Sequence, residues 1–342
     1  MPRYCEGDWG AVAYATVPPA DANRSSREAG IALDIPVVID TDPGIDDTLA
    51  LLLALNSPEL DVRGIAVTYG NTVVENAHRN ALEILRRAGK RLPVAISARR
   101  PLVRPLATAH ETHGPSGIGD APVPAAGVIL DYVKPLERLL DEQPGPVTLV
   151  TLGPVTGLAL ALRRDPDVVR AKVGRHLAMI GNLRAAGNTT RYAEFNAWCD
   201  PEALAEVLRA ELPTELVGLD VTRKFILTGG EIERLGRSND DLARWLSRAL
   251  QFYHAFHRRY EQLDGCVIND VLPIAELIAP GVLDFESLQL TVDLEDGDAR
   301  GRTRVDANGA RARVATGVHP EVARRLLAER VFASQALAGA PR

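Results

Sequence analysis

The sequence predicts an α/β fold: an open, mainly parallel β-sheet with helices on both faces. Two patterns predict it. Short runs such as "PVVID", "RGIAVTYG" and "PVTLVTLGP" are apolar throughout, as strands buried on both faces must be, and each leads into a longer segment with helical periodicity. Near the C-terminus, "LQLTVDLEDGDARGRTRVDANGARARVAT" instead alternates around two Gly-containing turns, which predicts a small β-hairpin region.

Each element follows in order. "PVVID" is the first strand, and "DDTLALLLALNS" the helix after it, with Asp46 and Asp47 in the first turn, where the positive end of the helix favours them. "VRGIAVTYG" is the second strand and "VENAHRNALEILRRAG" a helix ended by Gly89. "LPVAIS" is the third strand. "GVILDYVKPLERLLDE" is a helix interrupted near Pro135, because proline lacks the N–H of a helix interior. "PVTLVTLGP", "VTGLALALRRD" and "HLAMIG" continue as strand, helix and strand. "DPEALAEVLRA" is a helix opened by Asp200 and Pro201, "TELVGLDVT" a further strand, and "RALQFYHAFHRRYEQLDGC" a helix. Residues 1–33 carry no such pattern and are expected to be a poorly ordered N-terminal extension, with residues 34–342 as one domain.

Composition narrows the class. A formal charge of −6 gives no reason to expect nucleic acid or an anionic membrane as partner. No stretch approaches the roughly 20 apolar residues of a membrane span. The three cysteines, Cys5, Cys199 and Cys266, are too few and too scattered for a disulfide framework or a zinc site, and a cytoplasmic location is expected.

In parallel sheets, sites form at the carboxyl ends of the strands. Here those ends carry Asp40 and Asp42, Tyr69-Gly70-Asn71, Leu152-Gly153 and Asn182. Four aspartates, Asp40, Asp42, Asp46 and Asp47, fall within eight residues. Carboxylates this close repel one another, so a cation or a positively charged reaction centre must compensate them. Asp42 and Asp47, five apart across a Pro-Gly turn, can face one point, and hard divalent cations take such oxygen ligands. A second group, Asn188, Glu194 and Asn196, lies in "GNTTRYAEFNAWCDPEA"; none has an evident local role, and together they suit a polyhydroxylated ligand. Asp200, by contrast, is read as an N-cap. In "GCVINDVLPIAELIAP", Asn269-Asp270 interrupts an apolar segment, where a buried carboxylate needs a partner.

Together "VVIDTDPGIDDTLALLLAL", "TYGN", "TLGPVTGLALAL", "GNTTRYAEFNAWCDPEA" and "GCVINDVLPIAEL" resemble the inosine-uridine-preferring nucleoside hydrolase family, over about residues 36–317 and in family order. The resemblance implies a Rossmann-like nucleoside hydrolase fold and a calcium-dependent enzyme that splits a ribonucleoside into ribose and base, working as a homodimer or homotetramer. It implies that Asp42, Asp47, Asp270 and the main-chain carbonyl of Leu152 hold Ca2+, with Asp42 the general base for a calcium-bound water. It further implies that Asp46 and Asn196 hold the ribose 2′-hydroxyl, that Asn188 and Glu194 lie on the 3′/5′ side, and that Asn71 contacts ribose. Asp40 is expected to support the loop from behind.

One position departs from the family. Well-known purine- and pyrimidine-cleaving members carry His-Asp where this chain has Asn269-Asp270, and that histidine is associated with protonating the departing base. Asparagine cannot do so. The expected substitutes are Tyr253 and His257, four apart on one helix face, and His113 in the Gly-rich "ETHGPSGIGD". His78 and His176 are expected to be structural or at the surface. Two other functions fit parts of the pattern. A non-catalytic ribose-binding protein would keep the cage without the acid. A haloacid-dehalogenase-like phosphatase would use Asp40 as nucleophile and Asp42 as acid, with magnesium, but leaves Asp46, Asp47 and Asp270 unexplained.

Overall fold

The computed structural model describes residues 34–124 and 133–332, all within one compact unit. The N-terminal extension expected over residues 1–33, and the start of the helix expected from residue 127, lie outside the described residues.

Eleven strands are present among them: β1 (Ile35–Thr41), β2 (Leu60–Val67), β3 (Val94–Ile96), β4 (Val147–Thr151), β5 (Val173–Ala178), β6 (Thr214–Leu216), β7 (Ile226–Thr228), β8 (Gly265–Val267), β9 (Leu283–Val292), β10 (Thr303–Val305) and β11 (Ala310–Val318). Nine form one sheet in the order β10-β9-β11-β6-β5-β4-β1-β2-β3. From β3 to β11 all neighbours are parallel; β9 is antiparallel to β11 and to β10. The C-terminal hairpins therefore extend the edge of the main sheet.

Strand β1 shows why the fold class was legible. Val37 and Ile39 pack into the core on one face and Val38 into the core on the other, and all three are fully buried. A strand covered on both faces has no solvent side to alternate toward. The helices Ile45–Leu55 and Val74–Arg87 cover the first face, while Thr156–Arg164 and Pro201–Arg209 cover the second.

Ladder hydrogen bonds continue past the strand ends: Leu152 N–H donates to Asp40 O (2.8 Å), Thr68 N–H to Thr41 O (2.9 Å) and Met179 N–H to Thr151 O (2.8 Å). The carboxyl ends of β1, β2, β4 and β5 are thereby held level, which brings Asp42, Asn71, Leu152 and Met179 to one edge.

Two expectations change. "TELVGLDVT" is a strand only to Leu216; Leu219–Thr222 is a helical turn. Asp220 in that turn accepts from the N–H groups of Leu183, Arg184 and Ala185, at 2.7, 2.7 and 3.1 Å, and ties down the loop after β5. The apolar content of the segment resembled a strand, but this tertiary contact decided it. The run before Asn269 also forms a second, two-stranded antiparallel sheet, β7-β8, which periodicity did not reveal.

His176 is structural, as expected. It is fully buried, with its ring nitrogens 3.0 and 3.2 Å from the hydroxyls of Thr151 and Thr214. Burial pushes its pKa down to about 3. Because the unfolded chain binds that proton near pH 6.5, stability from this residue is complete above that pH and falls as pH drops toward 3, by up to about 1.4 kcal/mol per unit. Denaturant unfolding of wild type and His176→Gln at pH 7.5 and 4.5 is expected to show a smaller acid loss in the variant; equal losses would refute this assignment.

Candidate active site

The edge formed by β1, β2, β4 and β5 opens into a cleft lined by Asp46, Asn71, His113, Leu152, Asn188, Glu194, Asn196, Tyr253, His257, Asn269 and Asp270. Eleven of the thirteen residues singled out from sequence thus meet in one place. The other two, Asp42 and Asp47, are buried, at 1% and 0% exposure.

Asp42 sits where β1 ends, in a space that two glycines leave open. A side chain at Gly153 would place its Cβ 2.7 Å from Asp42 Oδ1, and one at Gly70, whose φ is +153°, would collide with Oδ2. Asp42 Oδ2 accepts the N–H of Asn71 at 2.6 Å, while Oδ1 is buried with no hydrogen-bond partner. Burial, reinforced by the Asp47 charge, raises the Asp42 pKa well above the usual carboxylate range.

Asp47 is partly a cap. Its carboxylate accepts from the Thr41 hydroxyl, from Gly44 N–H (2.9 Å) and from Asn71 Nδ2 (2.7 Å), which closes the first turn of Ile45–Leu55. Burial and then the Asp46 charge raise its pKa to about 6. Asn71 therefore braces two carboxylates, through its main chain and its side chain, as well as facing the cleft. Asp270 makes no capping bond to the helix Val271–Ile278 that it precedes. Burial and the Asp46, Asp47 and Asp42 charges drive its pKa well up.

The carboxylates of Asp46, Asp47 and Asp270 present ligand atoms within 4.8 Å of one another. The residues fit a bound cation. The donors are all oxygen, like charges are buried together, and one oxygen of Asp42 has nothing else to satisfy it. Asp46 belongs to this group by position, although sequence placed it with the sugar contacts.

The loop residues prove to have local roles that sequence did not reveal. Glu194 caps the helix Phe195–Cys199, accepting from Asn196 N–H (2.8 Å) and Ala197 N–H (3.0 Å), and also takes Gly181 N–H (2.9 Å). Burial nevertheless raises its pKa to about 7. Asn188 Oδ1 accepts from Phe195 N–H at 2.8 Å. Asn196 Nδ2 donates to the carbonyls of Leu152 (2.8 Å) and Met179 (2.9 Å), so it fixes the carbonyl expected to face a metal. Asp200 caps its helix through Ala203 N–H (3.1 Å), as expected, and also holds Leu102 N–H and the Thr156 hydroxyl.

Three rings in contact also line the cleft. His113 and Tyr253 lie 5.1 Å apart between centroids, and Tyr253 and His257 4.4 Å apart, edge to face. Tyr253 and His257 share one face of the helix Asp241–Tyr260, as their spacing predicts. His113 Nδ1 accepts the N–H of Ile45 at 3.1 Å, an otherwise free donor of a helix start. Nδ1 thus carries no proton, and the proton of the neutral ring is on Nε2. Burial lowers its pKa to about 4. His257 is the reverse: Nδ1 donates to Tyr253 O (2.9 Å), which leaves Nε2 as acceptor, and burial lowers its pKa also. Phe195, Phe256, Met179 and Arg223 also line the cleft. The first three are the apolar surface a base needs, and nothing in their local sequence set them apart from core residues.

Residues 37–325 match the family model described as inosine-uridine preferring nucleoside hydrolase. The chain belongs to that family. It is 35% identical over 277 residues to the pyrimidine-specific ribonucleoside hydrolase RihA of Klebsiella pneumoniae (strain 342), covering 80% of this chain and 88% of that protein. Among solved structures it is similar to the plant nucleoside hydrolase PpNRh1, with TM-score 0.80, 32% identity and 87% and 99% of the two chains covered. A purine-preferring ribonucleoside hydrolase from Gardnerella vaginalis also matches, with TM-score 0.80, 28% identity, and coverage of 89% and 100%. As a nucleoside hydrolase the protein is an enzyme acting on N-glycosyl bonds of ribonucleosides. The phosphatase reading is thereby set aside. Asp40, its required nucleophile, is 1% exposed under Ser97, whose hydroxyl donates to it at 2.6 Å, and it does not line the cleft. No helix among the described residues is long and apolar enough to cross a membrane.

Proposed function

We propose that this nucleoside hydrolase releases ribose and free base through a calcium site made by Asp42, Asp47, Asp270 and the Leu152 carbonyl, with Asp46, Asn196, Asn188, Glu194 and Asn71 around the ribose. The observation that carries the reading is the meeting of buried oxygens of Asp46, Asp47 and Asp270 within 4.8 Å of one another, with Asp42, which feels the Asp47 and Asp46 charges, offering a buried Oδ1 that has no donor. Calcium tolerates six to eight oxygen ligands, main-chain carbonyls included, in flexible geometry, which suits this mixed set better than the strict octahedron of magnesium. A bound cation supplies charge against the carboxylates, a seat for ribose hydroxyls and a lowered pKa for water.

The protein groups supply the rest. Cleavage of the N-glycosidic bond leaves the ribosyl centre positive, and the buried carboxylates stabilise that charge more than the neutral substrate. Asp42 Oδ1 takes the proton of the attacking water. His113 gives the departing base a hydrogen bond from Nε2–H and keeps that proton, since protonation at Nδ1 would cost it the Ile45 N–H; the base leaves with its negative charge stabilised and then takes a proton from water. His257, with Nε2 an acceptor, orients the base, and Tyr253 keeps its hydroxyl proton because burial and the Asp46 charge raise its pKa. A pyrimidine offers a carbonyl oxygen to such a donor, and the similarity to pyrimidine-specific relatives makes uridine and cytidine the leading substrates.

The test is ribose release from uridine, cytidine, inosine and p-nitrophenyl riboside, with calcium and with a chelator. Cleavage of the pyrimidines that stops on chelation is expected. Absence of turnover even for p-nitrophenyl riboside, which needs no proton on its leaving group, would instead support a ribose-binding protein. His113→Ala, which removes the donor, is expected to slow uridine by about 10²-fold or more but p-nitrophenyl riboside only slightly. Since His113 becomes charged only below about pH 4, its contribution should show no titration between pH 5 and 8; a limb in kcat/KM near pH 6.5 that the variant loses would refute the neutral donor.

A further inference from the structure

Asn269, the position at which this chain departs from its relatives, is bonded to Asp46 twice. Its main-chain N–H and its side-chain Nδ2 both donate to Asp46 Oδ2, at 3.2 and 3.1 Å. The Tyr253 hydroxyl reaches the same oxygen from 3.4 Å. The amide orientation is fixed by charge: turned over, it would set its carbonyl against a carboxylate. The carbonyl Oδ1 consequently points elsewhere, and it is a buried oxygen with no hydrogen-bond partner in a side chain that lines the cleft.

We infer that Asn269 is a positioning and specificity residue: it clamps Asp46 and presents Oδ1 as an acceptor for an O–H or N–H donor of the bound nucleoside. This rests on the hydrolase reading above and reverses the polarity of the position. A protonated histidine gives a hydrogen to an atom with a lone pair, whereas Asn269 Oδ1 can only take one. The atoms of a normal nucleoside flanking the glycosidic nitrogen, the pyrimidine C2 carbonyl or the purine N3, are acceptors and cannot satisfy it. The donors available are the ribose hydroxyls and the N–H of the base edge. Leaving a buried acceptor unpaired is costly, so a substrate lacking the matching donor is rejected by the site.

The experiment compares uridine with 2′-deoxyuridine, 5′-deoxyuridine and N3-methyluridine, in wild type, Asn269→Ala and Asn269→His. In wild type one analogue should lose about tenfold or more in kcat/KM, and that penalty, taken against uridine in the same variant, should shrink to about twofold in Asn269→Ala. The 2′- and 5′-deoxy substrates report a ribose hydroxyl, and the N3-methyl substrate the base. Asn269→His restores a side-chain N–H toward Asp46, so it should recover kcat on p-nitrophenyl riboside relative to Asn269→Ala. Where a variant turns over too slowly, calorimetric binding of the same nucleosides replaces rates. A penalty that stays unchanged in Asn269→Ala overturns the inference; no cleavage of any nucleoside by wild type fails the hydrolase reading instead.

Discussion

Asp42→Asn is expected to lower ribose release from uridine by about 10³-fold or more while leaving the fold intact. The carboxylate is 1% exposed, and its Oδ2 serves only the Asn71 N–H, at 2.6 Å. An amide oxygen can keep that bond, so the loop after β2 has no reason to move. What the amide cannot do is take a proton at the other atom. The substitution also removes one of several like charges buried together, so in chelator the variant should melt no lower than wild type. Steady-state turnover and thermal melts on the same preparations check both halves. Activity within tenfold of wild type would remove Asp42 as the base, and a large fall in melting temperature would mean that the carboxylate is structural.

Calcium is expected to raise the melting temperature by several degrees, and Asp270→Asn to abolish most of that rise. A ligand that binds only the folded state at 100 times its Kd stabilises it by about 2.7 kcal/mol. Here the effect has a specific source: burial and the charges of Asp47 and Asp46 drive up the Asp42 pKa, burial and the charges of Asp46, Asp47 and Asp42 drive up that of Asp270, and a cation relieves both. Asp270 is the informative position because it makes no capping bond to Val271–Ile278, so its loss costs the helix little. Asp47→Asn would confuse the result, since Asp47 also closes the first turn of Ile45–Leu55. A melting temperature unchanged by calcium in wild type would refute the assignment of these carboxylates to a metal.

Much of this was legible in the chain. The apolar runs marked β1, β2 and β4, and the spacing of Tyr253 and His257 put them on one helix face. Motif order brought together residues far apart in sequence. The misreadings share a cause. Glu194, Asn188 and Asn196 show no local duty in the sequence, yet they bond the main chain of Phe195–Cys199 or the carbonyls at the ends of β4 and β5. A side chain that bonds main chain across a loop leaves no periodicity to read. "TELVGLDVT" failed similarly, because a contact with the loop after β5 chose the helical turn at Leu219–Thr222.

The sequence by itself determined the layered α/β architecture, the acidic strand end and the departure at Asn269, because these depend on residue type at fixed spacing. Only the tertiary structure decided proton positions and unmet valences. His113 is a donor at Nε2 because Ile45 N–H lies 3.1 Å from Nδ1, and Asn269 offers an acceptor because Asp46 takes its other face. Each of those facts pairs atoms from elements distant in the chain, and hydrogen-bond direction is a property of the pair.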